Sequence, residues 1–374
     1  MPILVIMKVT VNIKLQPDRE QSDILRQTLE QTNEACNYLS EVGWKAGVLR
    51  QYDLHKLAYH QTKAKFNLVS DMIIRCIAKV ADAYKLDKKT QRIFRKHSAH
   101  PYNHHVLSFS KKADIVSIST TQGRLKIPFI MGDYQRKFFP FRKGEVDLML
   151  IRNKFYLACV CDIDTPELIE AQDVLGVDLG IENIATTSDD TVFSGKQCDA
   201  VRIKMTKIKK ALQKKGSKSA KRHLKKLSGR ERRFKKDTNH IISKQIVSIA
   251  TGTNRAIALE KLKGFRVTVN RAQRERFGKW AFGELRSFIE YKAALSGIPV
   301  FIVNPKNTSR GCSRCGYIAK SNRKSQSQFS CGQCGFTLNA DINAAKNIAL
   351  IGSVNSRIAV RSLITAPGTA SRLL

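Results

Sequence analysis

The sequence predicts a multidomain chain in two parts. The first is a small β-barrel or sandwich interrupted by helices; the second is a mixed α/β domain carrying a cysteine-rich insertion. Three observations predict it. Short alternating strands fill the first half around a helical stretch. Two later apolar runs, 174–178 and 256–260, each end in a carboxylate. Four cysteines stand in two close pairs near the end of the chain.

With 374 residues the chain is long enough for two or three domains with their own cores. Its hydrophobic content of 42% is that of a globular protein. Lys+Arg total 66 against Asp+Glu 31, a net charge of +35 and a sequence pI near 10.1. Such a charge repels itself unless a polyanion neutralises it, so nucleic acid is the expected partner. An anionic membrane surface would also attract it, but no basic amphipathic anchor or long apolar span is seen, so no membrane is expected. The opening residues read as no signal peptide. Nine cysteines, an odd count with four closely paired, fit a reducing compartment and a metal site better than disulfides. A cytoplasmic, nucleoid-associated protein is expected.

Val5 to Leu15 ends in period-two alternation and reads as a half-buried strand closed by Pro17. Ile24, Leu25, Leu29, Cys36 and Leu39 recur at helical spacing up to an expected break at Gly43. A second helix covers Leu54 to Ala64, and a third carries Val69, Met72, Ile73, Ile77 and Val80. Cys36 and Cys76 fit a core. The basic segment with His97, His100, His104 and His105 lacks metal-ligand spacing and reads as a phosphate-facing surface. Strands follow at 106–110, 115–119, 124–129 and 146–151. A last one, 154–163, turns from its predecessor at Arg152-Asn153 and has Cys159 and Cys161 in core positions. Residues 164–167, Asp-Thr-Pro-Glu, read as a linker.

The second part opens on Val174-Leu-Gly-Val-Asp178, broken by Gly180, and continues as a three-strand meander turning at Ser188-Asp189-Asp190. Residues 202–236 are dominated by lysine and arginine, with Gly216-Ser217 as the joint of a helical hairpin. Lysine this dense with few acids to pair reads as a phosphate-facing surface. A more apolar helix carries Ile241, Ile242, Ile246 and Ile249. The strand Ala256 to Glu260 follows, then a helix from about Trp280 to Gly297, and the strand Pro299 to Val303. This order is expected of a mixed sheet of the ribonuclease H type. The tail after Gly352 lacks clear periodicity.

Cys312-x-x-Cys315 and Cys331-x-x-Cys334 have the spacing of a zinc site, with Gly316 and Gly335 suited to the turns that follow. Four thiolates close a tetrahedral shell, so one structural zinc is expected. In residues 338–348 the alanines and isoleucines have helical spacing, with Asn339 as N-cap and Asp341 in the first turn. Two strand-terminal acids and a helix-initial one, in a basic chain, suit Mg²⁺. Two such ions roughly 4 Å apart activate water and stabilise the leaving oxygen of a phosphodiester.

Gly176-Val-Asp-Leu-Gly180 with Asn183-Ile-Ala, Ala258-Leu-Glu260-Lys-Leu-Lys, Ile289-Glu-Tyr-Lys-Ala, the two cysteine knuckles and Asp341-Ile-Asn-Ala-Ala-Lys-Asn-Ile348 together resemble TnpB. These are the RNA-guided endonucleases of bacterial and archaeal insertion sequences, related to type V CRISPR effectors. The close matches cover residues 174–350. The resemblance implies a RuvC-like nuclease domain at 170–307 and 339–352, with a zinc knuckle at 308–338. It also implies a wedge β-barrel at 1–16 and 106–165, interrupted by a helical recognition domain at 17–105; residues 353–374 would be a disordered tail. It makes Asp178, Glu260 and Asp341 the catalytic acids holding two Mg²⁺ ions, with Arg310 a candidate phosphate contact. It further implies a monomer on one guide RNA from the transposon end, recognition of a short target-adjacent motif, pairing of RNA with a double-stranded DNA target, and cleavage. The family often has Asp-Arg-Asp at the last acid, where this chain has Asn339-Ala340-Asp341. Two other readings compete with it: a nuclease-inactive guided repressor, against which all three acids stand, and a strand-transferring transposase, for which no tyrosine or serine recombinase signature is present.

Overall fold

The computed structural model describes residues 6–110, 112–180, 182–261 and 282–365. The expected strand start at Val5, helix start at Trp280 and residues 366–374 of the tail lie outside them. The chain forms two compact units that divide between Asp164 and Thr165, within the expected linker.

The first unit runs β1 (Ile6–Leu15), α1 (Arg19–Ala46), α2 (Gln51–Lys65), α3 (Ser70–Leu86), β2 (His100–Tyr102), β3 (Leu107–Phe109), β4 (Ile115–Thr120), β5 (Gly123–Ile130), α4 (Asp133–Phe138), β6 (Arg142–Ile151) and β7 (Lys154–Asp164). The strands form one antiparallel sheet in the order β2-β6-β7-β1-β5-β4-β3. Its edges, β2 and β3, are joined by residues 103–106 alone. Five Cα steps reach about 18 Å at most, whereas seven flat strands would set their edges about 29 Å apart. The sheet is therefore rolled. Arg152 and Asn153 both have positive φ (51° and 65°), as a two-residue hairpin turn with the strands' own twist requires.

Two expectations are corrected here. α1 does not break at Gly43 but continues to Ala46 and stops at Gly47, whose φ is +68°. Gly43 is a packing residue, since a Cβ there would meet the Val48 carbonyl oxygen at 2.7 Å. The histidine segment is not all surface: pairing of β2 with β6 carries His100 fully inside, and His97 Nε2 lies 2.9 Å from Glu30. Cys36, Cys76, Cys159 and Cys161 are buried, as their apolar settings suggest.

The second unit runs β8 (Asp173–Asp178), β9 (Asn183–Thr187), β10 (Val192–Ser194), α5 (Lys196–Lys215), α6 (Lys218–Leu227), α7 (Arg230–Gly252), β11 (Arg255–Glu260), α8 (Phe282–Leu295), β12 (Val300–Val303), the hairpin β13 (Gln328–Ser330) and β14 (Thr337–Asn339), and α9 (Ala340–Thr365). The main sheet has the order β10-β9-β8-β11-β12. β8 lies antiparallel to β9 and parallel to β11, which is parallel to β12. Gly216 ends α5 with φ +64° and Ser217 caps α6, so the expected helix pair forms at that joint. Gly229, also left-handed, marks a second break before α7.

Strand alternation divides the core. Leu175 and Val177 of β8, with Ile257 and Leu259 of β11, face α7 and α8 and pack on Ile242, Ile246, Leu285 and Ile289. Val174, Ala256 and Ala258 face the other way, toward Ile348 of α9. That helix is longer than expected. Its backbone stays helical to Thr365, beyond Gly352, because residues 353–365 contain no proline or internal glycine to stop it. Gly352 itself lies against the sheet, where a Cβ would meet Ala258 Cβ at 2.7 Å. No described helix is long and apolar enough to cross a membrane.

Candidate active site

The period-two rule that sends Leu175 and Val177 to one face sends Gly176 and Asp178 to the other. In β11 it does the same for Ala258 and Glu260. Because β8 and β11 are parallel and in register up to Val177 and Leu259, both acids stand at the same end of the same face. α9 crosses that face and starts there. The Asn339 side-chain oxygen accepts from the backbone N–H of Asp341 (2.9 Å) and Ile342 (3.3 Å), the N-cap expected from sequence. Asp341 and Glu260 are buried.

The environment of these carboxyls is not neutral. Asp178 is pushed up to about 8, first by burial and then by the charges of Glu260 and Asp341; the Arg323 charge and the Leu179 backbone N–H act in the opposite sense. Burial also raises Glu260, while the Thr308 hydroxyl, donating to Glu260 Oε1 at 2.5 Å, lowers it. Asp341 is held at both oxygens. Asn183 Nδ2 donates to Oδ2 at 2.9 Å, and Arg323 donates to Oδ1 at 3.4 Å. Asp178 therefore lies within reach of the charges of the other two acids, although the oxygens of the three do not all lie within 4.8 Å of one another. Three carboxylates met by one guanidinium remain short of positive charge, and hard oxygen donors of this kind fit a divalent cation such as Mg²⁺.

The cysteine quartet is drawn tighter. Among the described residues it is the cluster whose ligand atoms all lie within 4.8 Å. Cys312 and Cys334 sulfurs are 3.7 Å apart, and Cys315 and Cys331 3.6 Å. A tetrahedron with Zn–S bonds of about 2.3 Å has edges of about 3.8 Å, so the four sulfurs fit zinc. The two knuckles repeat one geometry. Gly316 N–H donates to Cys312 O (2.9 Å) and Gly335 N–H to Cys331 O (3.1 Å), and both glycines have the positive φ that the turn needs. Buried Asn322 ties them together, donating to Arg310 O and Tyr317 O and accepting from Gly332 N–H.

This ribbon is fastened to α9. Asn343 donates to Gly311 O (2.8 Å) and accepts from Ser313 N–H (3.0 Å); one turn on, Asn347 donates to Thr308 O and Gly311 O. Arg323 thereby reaches Asp341, while Arg310 is exposed. Sequence reasoning did not single out Asn183, Thr308 or Arg323 for the site. Asn183 lies inside a motif stretch and Thr308 opens the knuckle segment 308–338, which are the available signals; Arg323 lies between the cysteine pairs in a loop marked only by its charge. Outside the pocket, α5 and α6 bury a thin line of Cys198, Met205, Ala220 and Leu227. The rest of their surface is basic, with Asp199 as the lone acid.

A zinc-ribbon protein with a carboxylate-lined mixed sheet, appended to a rolled antiparallel sheet, is the class these features define. Comparison with known proteins gives the family. Residues 158–263 match the OrfB_IS605 family, described as a probable transposase, and residues 282–348 match the Cas12f1-like TNB domain. A TnpB-like protein of Methanocaldococcus jannaschii is 30% identical over 64% of this chain and 91% of its own length. The CRISPR-associated endodeoxyribonuclease Cas12f1 of Sulfoacidibacillus thermotolerans is 26% identical over 89% of this chain and 93% of its own. The putative RNA-guided DNA endonuclease InsQ of Escherichia coli is 29% identical over about half of each. Among solved structures, the Cas12f1–sgRNA–target DNA complex contains a chain of the same fold (TM-score 0.57, 17% identity, covering 89% of this chain and 83% of that one). The chain belongs to the TnpB family.

Proposed function

We propose that this protein is an RNA-guided DNA endonuclease encoded by an insertion sequence. It binds a guide RNA from the transposon end, recognises a short target-adjacent motif, pairs the RNA with one DNA strand and hydrolyses phosphodiester bonds in a RuvC-like domain. The first unit then acts as a wedge barrel with its helical recognition insert. The reading rests above all on one observation: parallel β8 and β11 carry Asp178 and Glu260 to the same end of one sheet face, and burial together with the charges of Glu260 and Asp341, acids 82 and 163 residues further along the sequence, raises the Asp178 carboxyl.

In this reading Asp178, Glu260 and Asp341 hold divalent cations, which when bound supply an activated water and stabilise the leaving oxygen. The chain's own residues prepare that pocket. Asn183 and Arg323 orient Asp341, Thr308 orients Glu260, and both Glu260 and Asp341 are buried. Sequence reading is left to base pairing, while the +35 charge holds nucleic-acid backbones. A zinc bound by Cys312, Cys315, Cys331 and Cys334 is structural, having no open position.

The test is to express the gene with its flanking DNA, sequence the co-purifying RNA, and supply a plasmid matching that RNA's guide. Cleavage in magnesium, abolished by Asp178→Ala, is expected. Binding without cleavage would indicate a guided repressor, and joined DNA products without RNA would indicate a transposase.

A further inference from the structure

The carboxylate pocket is met by a cation that belongs to the ribbon. Arg323 follows the buried Asn322, and its backbone bridges to Phe329, which is fully buried in the ribbon core. These anchors fix the base of the side chain. Its guanidinium donates to the Gln326 carbonyl at 3.1 Å and to Asp341 Oδ1 at 3.4 Å. Asn183 holds the other oxygen, Oδ2, at 2.9 Å, so a metal binding through Oδ1 would meet the guanidinium directly. The Arg323 side chain is 26% exposed and that of Asp341 9%. The guanidinium is thus the more exposed partner of a largely buried carboxylate.

Buried carboxylates without a counter-charge are costly, and one guanidinium offsets part of that cost. A guanidinium and a divalent cation seeking the same carboxylate also compete. We propose that Arg323 is a positioning residue that acts as a placeholder cation: it holds Asp341 and neutralises the acid pocket until a divalent cation displaces it. The ribbon's role in this scheme is to deliver that charge, which links a structural metal site to a catalytic one. The inference rests on the reading of the three acids as divalent-metal ligands.

The test is thermal unfolding of the zinc-loaded protein in magnesium-free buffer and in millimolar magnesium, with zinc content measured for each variant. Arg323→Gln keeps the length and donor character but removes the charge; Arg323→Lys keeps the charge. Without magnesium, Arg323→Gln is expected to melt about 2–4 °C below wild type, with most of that gap closing in magnesium. Its half-saturating magnesium concentration should fall about threefold or more, since the competitor is gone. Arg323→Lys should stay close to wild type in both conditions. A deficit in Arg323→Gln of equal size with and without magnesium would overturn the proposal, because the residue would then merely pack the ribbon. If wild type gains stability in magnesium and Asp178→Ala does not, that result leaves the metal reading standing. If wild type itself gains nothing from magnesium, the metal reading fails and the placeholder with it.

Discussion

A Cβ placed on Gly176 would stand 2.1 Å from the carbonyl oxygen of Ala345 and 2.5 Å from the amide nitrogen of Ala349. β8 and α9 thus touch backbone to backbone, two residues before Asp178 and one turn after Asp341. No side chain separates the strand that carries one acid from the helix that carries another. Gly176→Ala must push α9 off the sheet, at a cost of about 3 kcal/mol. Calorimetry should show a lower Tm, and guided cleavage should be lost. Gly252→Ala is the control: its Cβ would meet nothing within 4 Å at the exposed end of α7, and it should change stability by less than about 1 kcal/mol.

That contact also shows which parts of the fold were legible in sequence. Asp178 and Glu260 announced themselves because a charge closing an apolar run is costly without a purpose. The cysteine spacing and the Asn339 cap are local patterns, and both appear as read. Gly43 misled because a glycine in a helix has two uses, termination and close packing, and only the fold shows Val48 against it. His100 misled because a short strand between basic residues has too few positions to reveal its buried face. Arg323 was hidden for another reason. It lies 18 residues from Asp341 in a loop without periodicity, and only the folded hairpin brings them together.

Thr308 controls Glu260 through one hydrogen bond. Its hydroxyl donates to Oε1 at 2.5 Å and is buried with it. Thr308→Val keeps the shape and removes the donor, leaving the carboxylate less well satisfied and its pKa higher still. Because a metal ligand must be ionised, the acidic limb of the cleavage–pH profile should move to higher pH. Cleavage near neutrality should fall several-fold and recover as the pH is raised. Thr308→Ser, which retains the hydroxyl, should follow wild type. An unmoved profile in Thr308→Val would sink the assignment.

Removing zinc should disable cleavage even though the four cysteines leave no position for substrate. The ribbon is tied to α9 by Asn343, Asn347 and the bond from Ala340 N–H to Ser327 O (3.0 Å). Losing the metal loosens the ends that these bonds depend on. Cys331→Ser should therefore bind less than one zinc per chain by elemental analysis. It should also become sensitive to proteases within 308–339, and cut guided DNA at least about tenfold more slowly. Retained cleavage in a zinc-free protein would separate the ribbon from the acid pocket.

The raised pKa of Asp178 has a consequence for stability with a definite sign. The folded protein binds the Asp178 proton up to about pH 8, whereas an unfolded aspartate releases it near the ordinary 3.8. Between these values the folded state holds more protons than the unfolded one, so this group's contribution to stability falls as pH rises. It is fully present below about pH 4 and lost as the pH passes through about 8. Many other groups titrate over that range, so the clean measurement is the difference between wild type and Asp178→Asn, which mimics the protonated form at every pH. In magnesium-free buffer the two should converge only toward about pH 4, and by pH 5 the variant should already be the more stable. That advantage should widen as the pH rises, to a few kcal/mol near pH 8. Magnesium should shrink or reverse that advantage, because a cation favours the ionised carboxylate that asparagine lacks. A difference that stays flat from about pH 5 to 8 would mean that Asp178 is already ionised in the folded protein and that its neighbours' charges do not reach it.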